Sequence, residues 1–161
     1  MLNEVNWTLE LLKVMPSFII GLVAALIAWQ QAQISKEQKR IAQAKLKFDL
    51  FVKRLAVYEE VAKLVDAAKN LNDTEAAASA IKQLLKTSHE ATFLFGDDVN
   101  TLIEKLALAV AELGKGIKAT VDNKGAVPAQ TLPLIRSANN FLKTVDIEAV
   151  FRPYLELSQW K

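Results

Sequence analysis

The chain has 161 residues, with 20 Lys or Arg against 18 Asp or Glu and a net charge of +2, too small a surplus to argue for a nucleic-acid partner. It has no Cys, which excludes disulfides, a thiol nucleophile and a Cys-ligated metal. Apolar residues make up 52% of it, rich enough for one lipid-facing segment followed by one small helical domain.

Residues 14–29, VMPSFIIGLVAALIAW, carry no charge. A bilayer needs about 20 residues of helix. Extension back through Leu9, Leu11 and Leu12 supplies them, with Glu10 and Lys13 at the outer edge, where Lys13 can snorkel to the headgroups. Trp7 and Trp29 bracket the span about 33 Å apart along a helix, as interfacial aromatics do. Residues 18–28 are apolar on every face, unlike an amphipathic core helix. Glu4 and Glu10 precede the run, no early Lys or Arg does, and no small-x-small site follows, so a cleaved signal peptide is not expected. Positive charge gathers after Trp29, which predicts a single-pass protein of a bacterial inner membrane, its N-terminus outside and its C-terminal domain cytoplasmic. The expected division is 1–29, a short outside tail and transmembrane helix, and 30–161, a helical stalk and cytoplasmic domain.

Two surfaces of this region are candidate interaction sites. Ser17, Gly21, Ala25 and Ala28 follow small-xxx-small spacing, which lets helix backbones approach closely in lipid and would support a homo-oligomer. Lys36, Lys39, Arg40, Lys45 and Lys47, followed by Lys53 and Arg54, meet only Glu37 and Asp49. The basic stretch either contacts anionic lipid or only sets topology. Beyond residue 54 the chain holds 12 basic and 14 acidic side chains.

No Gly or Pro occurs between Gly21 and Gly96, and helical periodicity runs straight on from the span. Residues 30–44 are mostly polar and read as an exposed stalk. Ile34, Ile41, Phe48, Leu55 and Ala62 recur every seventh residue, Ala44, Phe51, Tyr58 and Val65 fill the gaps, and Leu46, Leu50, Val57, Val61 and Leu64 widen the face to one suited to bundle packing. An unbroken helix over 7–69 would be about 95 Å long. Residues 70–73 read as a turn, with Asp73 as N-cap and Glu75 complementing the dipole of the next helix. That helix carries Ala77, Ile81, Leu84 and Leu85 on one face and is expected to end at Phe95, with Gly96 as a left-handed cap. Asp97 or Asp98 would cap a third helix lined by Val99, Leu102, Ile103, Leu106, Val110, Leu113 and Ile117, its last turn weakened by Gly114 and Gly116. After a loop over 121–129, Thr131 would cap a last helix with Pro133 in its first turn and Leu134, Ala138, Phe141, Leu142, Val145 and Ala149 facing the core, ended by Pro153. Tyr154, Leu155, Leu157 and Trp160 would pack back on the domain. The fold class is therefore all-α: an N-terminal transmembrane helix continuing into a cytoplasmic four-helix bundle-like domain.

No catalytic constellation emerges. The one histidine, His89, stands between Ser88 and Glu90, and neighbours on a helix point about 100° apart, which is no Ser-His-acid relay. Residue 86 is Lys, so the Glu-x-x-His of a di-iron bundle is missing. Gly114-Lys115-Gly116 lacks the rest of a phosphate loop. Asp97-Asp98 is read as capping, Glu59-Glu60 as partners of Lys63 or the basic stretch, and Arg54, if buried, as half of a structural ion pair. Neither a cofactor nor a metal is expected.

The segment Lys47-Phe48-Asp49-Leu50-Phe51-Val52-Lys53-Arg54-Leu55-Ala56-Val57-Tyr58-Glu59 resembles a pattern, FDLF-x-x-R-x-x-VYE, of a family of small bacterial single-pass membrane proteins. Phe93-Leu94-Phe95-Gly96-Asp97 and Phe151-Arg152-Pro153-Tyr154-Leu155 are similar to later parts of that family. The resemblance implies a helical cytoplasmic domain on one anchor and brings no activity with it. The leading expectation is a membrane-anchored interaction or scaffold module, with the bilayer, a second copy or another protein as partner. The alternatives are a membrane-acting effector that works by oligomerising and, last, an enzyme.

Overall fold

The computed structural model describes residues 7–156. The tail before Trp7, and Leu157 and Trp160, lie outside them, and so does the side chain of Trp7. Five helices make up the described chain, with no strand among them: α1 Trp7–Lys69, α2 Thr74–Leu94, α3 Asp97–Asp122, α4 Leu132–Thr144 and α5 Ile147–Leu155. The all-helical class is as the periodicity predicts. The chain divides into two compact units, Met1–Leu46 and Lys47–Lys161.

Among the described residues, the first unit consists of the N-terminal part of α1. The part of α1 near the N-terminus is long and apolar enough to cross a membrane. Pro16 lies inside it; the missing N–H is tolerated in such segments where neighbouring groups re-satisfy the freed carbonyl.

The second unit is built around α3, which packs against α2, α4 and α5. Its core is one cluster: Val57, Val61, Val65 and Ala68 of α1, Ala77, Ala80, Leu84 and Ala91 of α2, Val99 to Leu113 at helical spacing on α3, Ala138 and Leu142 of α4, and Phe151 of α5. Full burial of Phe151 alone stabilises by about 3 kcal/mol before entropy is counted. The packed face of α1 starts later than the heptads suggest. Leu46, in the first unit, is exposed, and in the second Phe48 stays exposed because α2 and α5 end at the level of Arg54, where Leu94 and Tyr154 lie. Leu85 and Leu134 are also exposed, as is Ala149, on the outer sides of their helices.

Small residues set the spacing around α3. A Cβ on Gly114 would come within 2.9 Å of the Ala77 Cβ, and one on Gly116 within 2.4 Å of Ile135 Cδ1. The two glycines sit inside a helix that continues to Asp122; their cost in propensity is offset by the close approach of α2 and α4. The helix then ends in a Schellman motif, with Gly125 N–H donating to the Thr120 carbonyl at 2.8 Å and Lys124 N–H to Val121 at 3.2 Å. Lys124, at φ 55°, holds the left-handed position that usually falls to glycine.

Caps account for the remaining boundaries. Asp73 accepts the Ala76 N–H at 2.6 Å and starts α2 as expected. Gly96 is extended (φ −83°, ψ −179°) and is the N-cap of α3, so it is no left-handed cap, and neither Asp97 nor Asp98 caps; both lie in the first turn, where the helix dipole favours a carboxylate. Thr131 does stand at the start of α4, but its hydroxyl donates back to the Pro128 carbonyl at 2.9 Å. The expected last helix is two. Asp146 accepts the Ala149 N–H at 3.0 Å and begins a new helix after a break at Val145, and Pro153 lies inside α5 rather than at its end.

Candidate functional site

Segments 47–59, 93–97 and 151–155 meet at one end of the second unit. Arg54 of α1 donates from Nε to the Leu94 carbonyl at 2.8 Å and from Nη1 to the Tyr154 carbonyl at 3.3 Å. Leu94 is the last residue of α2, and Tyr154 is in the final turn of α5. Carbonyls there lack a helical donor and carry the negative end of the macrodipole, so one guanidinium caps two helices at once. Its carbon lies 5.8 Å from the Phe95 ring centroid and 5.5 Å from that of Tyr154, within cation–π range. Burial lowers the Arg54 pKa, with Tyr154 opposing; a guanidinium starts so high that it stays charged.

From Phe95 and Tyr154 the ring contacts run on into the core at Phe151. Phe151 meets Tyr58 edge-on at 5.5 Å and Phe95 at 5.1 Å, and Phe95 meets Tyr154 at 5.3 Å, the geometry that ring quadrupoles favour. The Tyr154 hydroxyl donates to Asp98 Oδ1 at 2.7 Å and accepts the Gly96 N–H at 3.2 Å. That bond to Asp98, with burial second, raises the Tyr154 pKa. A Cβ on Gly96 would sit 2.5 Å from the same hydroxyl oxygen, so glycine is what admits the ring. Periodicity could not find this cluster, because it joins residues 40 to 100 apart in the chain. The available signal was that each quoted motif sets aromatic residues beside a charged one. The arrangement clamps the ends of α2, α3 and α5 to α1.

The candidate interaction residues lie elsewhere. Ser17, Gly21, Ala25 and Ala28 are exposed on α1 within an arc of about 80°, and a Cβ on Gly21 would meet nothing within 4 Å. Large apolar side chains surround them in the open, with Phe18 68% and Ile20 69% exposed. Lys36, Lys39, Arg40, Lys45 and Lys47 are also exposed on α1. At about 100° per residue, Lys36, Lys39 and Arg40 share an arc of about 100°, while Lys45 points to the opposite side.

A cleft of about 580 Å³ between α1 and α2 is rimmed by Lys53, Glu60, Lys86, Glu90 and Phe93. Glu60 there accepts from Gln83 Nε2 at 2.8 Å across the two helices. His89 and Arg136 are exposed. Among the described residues no group of three His, Cys, Asp or Glu could hold a metal ion. No family model, curated protein or solved structure matches the chain.

Proposed function

We propose that the chain is a membrane-anchored helical interaction module: α1 crosses the membrane once, and the second unit is presented on the cytoplasmic side to a second copy or another protein. The observation that carries this reading is the charge-free stretch 14–29, whose described large side chains from Met15 to Trp29 all face outward. Water would penalise that surface at about 25 cal/mol per Å²; hydrocarbon would not. The excess of Lys and Arg directly after Trp29 supports the orientation. The Arg54 cluster fits a module of this kind, since it fixes the ends of three helices on a rigid support. The resemblance in the three motifs supports the same architecture and adds no chemistry. Native mass spectrometry of the full-length protein, gently released from its own membranes, tests the reading. A defined homo-oligomer or a stoichiometric protein partner is expected, and a strict monomer with no partner would overturn it.

A further inference from the structure

We infer that Lys36, Lys39 and Arg40 form a contact for anionic lipid headgroups of the membrane that α1 spans, and that Lys45 takes no part in it. The inference rests on the anchor reading above and narrows the basic stretch to three residues. The three side chains are exposed on one helix, and among the described residues none of them enters a salt bridge. They share an arc of about 100°, with Lys45 about 180° from Lys36; Lys47 returns to the arc but lies about 10 Å farther along the helix than Arg40. Glu37 is the one acid between them, turned about 100° from Lys36.

Height along the helix makes the selection sharper. With Trp29 at the edge of the hydrocarbon, Lys36 stands about 10 Å above it, Arg40 about 16 Å and Lys45 about 24 Å. The headgroup layer is roughly 5–8 Å thick. A Lys or Arg stem that bends back lowers its charge by roughly 6 Å. The charges of Lys36, Lys39 and Arg40 then fall within or just above the headgroups, less than a Debye length of about 8 Å from them. Lys45 remains about 18 Å up on that count, beyond both. The fit is to a fixed anionic surface: three cations over about 6 Å of rise match a plane of phosphates better than one small anion.

The test uses full-length protein carrying W7F and W160F, so that Trp29 is the single reporter, in vesicles of phosphatidylcholine with about 30% phosphatidylglycerol, which gives an anionic surface. Bromine is placed on the acyl chains of one lipid or the other, and quenching of Trp29 is compared. We expect quenching by both, with brominated phosphatidylglycerol about threefold more effective per lipid at low salt and the preference falling as salt rises. K36Q/K39Q/R40Q should bring the preference close to one, and K45Q should leave it unchanged. Equal quenching by the two lipids in the unaltered charge set, a preference that survives the triple change, or an equal loss with K45Q would overturn the inference while leaving the anchor intact. Absence of quenching by either lipid would overturn the anchor reading itself.

Discussion

Replacing Arg54 by Met removes the charge and the planar fork while keeping most of the apolar stem. The bond to the Leu94 carbonyl is short, 2.8 Å, and charge-assisted, and because the site is half-buried it takes the low end of its class, about 1.5 kcal/mol. The 3.3 Å contact to Tyr154 adds about 0.5 kcal/mol. Two rings at 5.5 and 5.8 Å contribute about 0.5 kcal/mol each. The dipole effect is the same set of carbonyls and is not counted again. Desolvation of the guanidinium, whose burial lowers its pKa, is relieved in the variant and returns about 1 kcal/mol. The net expectation is a loss of about 2 kcal/mol, or roughly 8 °C in Tm for a unit of this size. Urea unfolding of the full-length protein in mild detergent, followed by far-UV circular dichroism, reads it as a lower midpoint at unchanged slope. R54K keeps a cation but no fork and should fall between the two. An R54M midpoint within about 0.5 kcal/mol of the parent would refute the claim that this residue ties the helix ends together.

G114A should destabilise by about 1 kcal/mol although Ala is the better helix former by about the same amount, because its Cβ meets that of Ala77 at 2.9 Å; A77G in the same chain should recover part of the loss, and a more stable G114A would contradict the packing. K124G should raise stability by about 0.5–1 kcal/mol, since φ 55° strains a side chain there, and a lowered urea midpoint would speak against the left-handed cap. Y154F should cost about 1 kcal/mol near neutrality, the bond to Asp98 being solvent-exposed. The Tyr154 pKa is raised in the folded state, so the neutral hydroxyl is favoured by folding: its contribution is complete below the unfolded value of about 10 and is lost as pH climbs through the higher folded value. The gap between parent and Y154F midpoints should therefore hold constant up to about pH 10 and shrink above it; a gap that widens there would contradict the bond's direction.

Much of the helical pattern was legible in the sequence because it is local. Asp73 announces the start of α2, and the apolar spacing of α3 gives its buried face directly. Boundaries that depend on partners were not legible. Asp146 reads as one polar residue in a periodic run until its carboxylate is seen on the Ala149 N–H, which splits one expected helix into α4 and α5. Gly114 and Gly116 look like breakers, and only the neighbouring Ala77 and Ile135 show them to be spacers. Asp98 resembles a cap until Tyr154, 56 residues on, claims its oxygen. Arg54 stood out as a cation beside an apolar face, while its carbonyl partners follow from where α2 and α5 end, which no local rule fixes. The charge-free stretch 14–29 and the basic residues after it are the reverse case: their composition argues for a span, and the exposed helix adds the direction of each side chain.

The measurement that bears most directly on the anchored, cytoplasmic reading uses the absence of Cys. S137C places one thiol on an exposed face of α4, where a membrane-impermeant maleimide can report its side of the membrane in intact cells. Labelling only after the cells are permeabilised, with the protein kept in the membrane fraction through alkaline extraction, is the expected result. Labelling of intact cells would reverse the orientation, and release at alkaline pH would show that α1 does not span the bilayer.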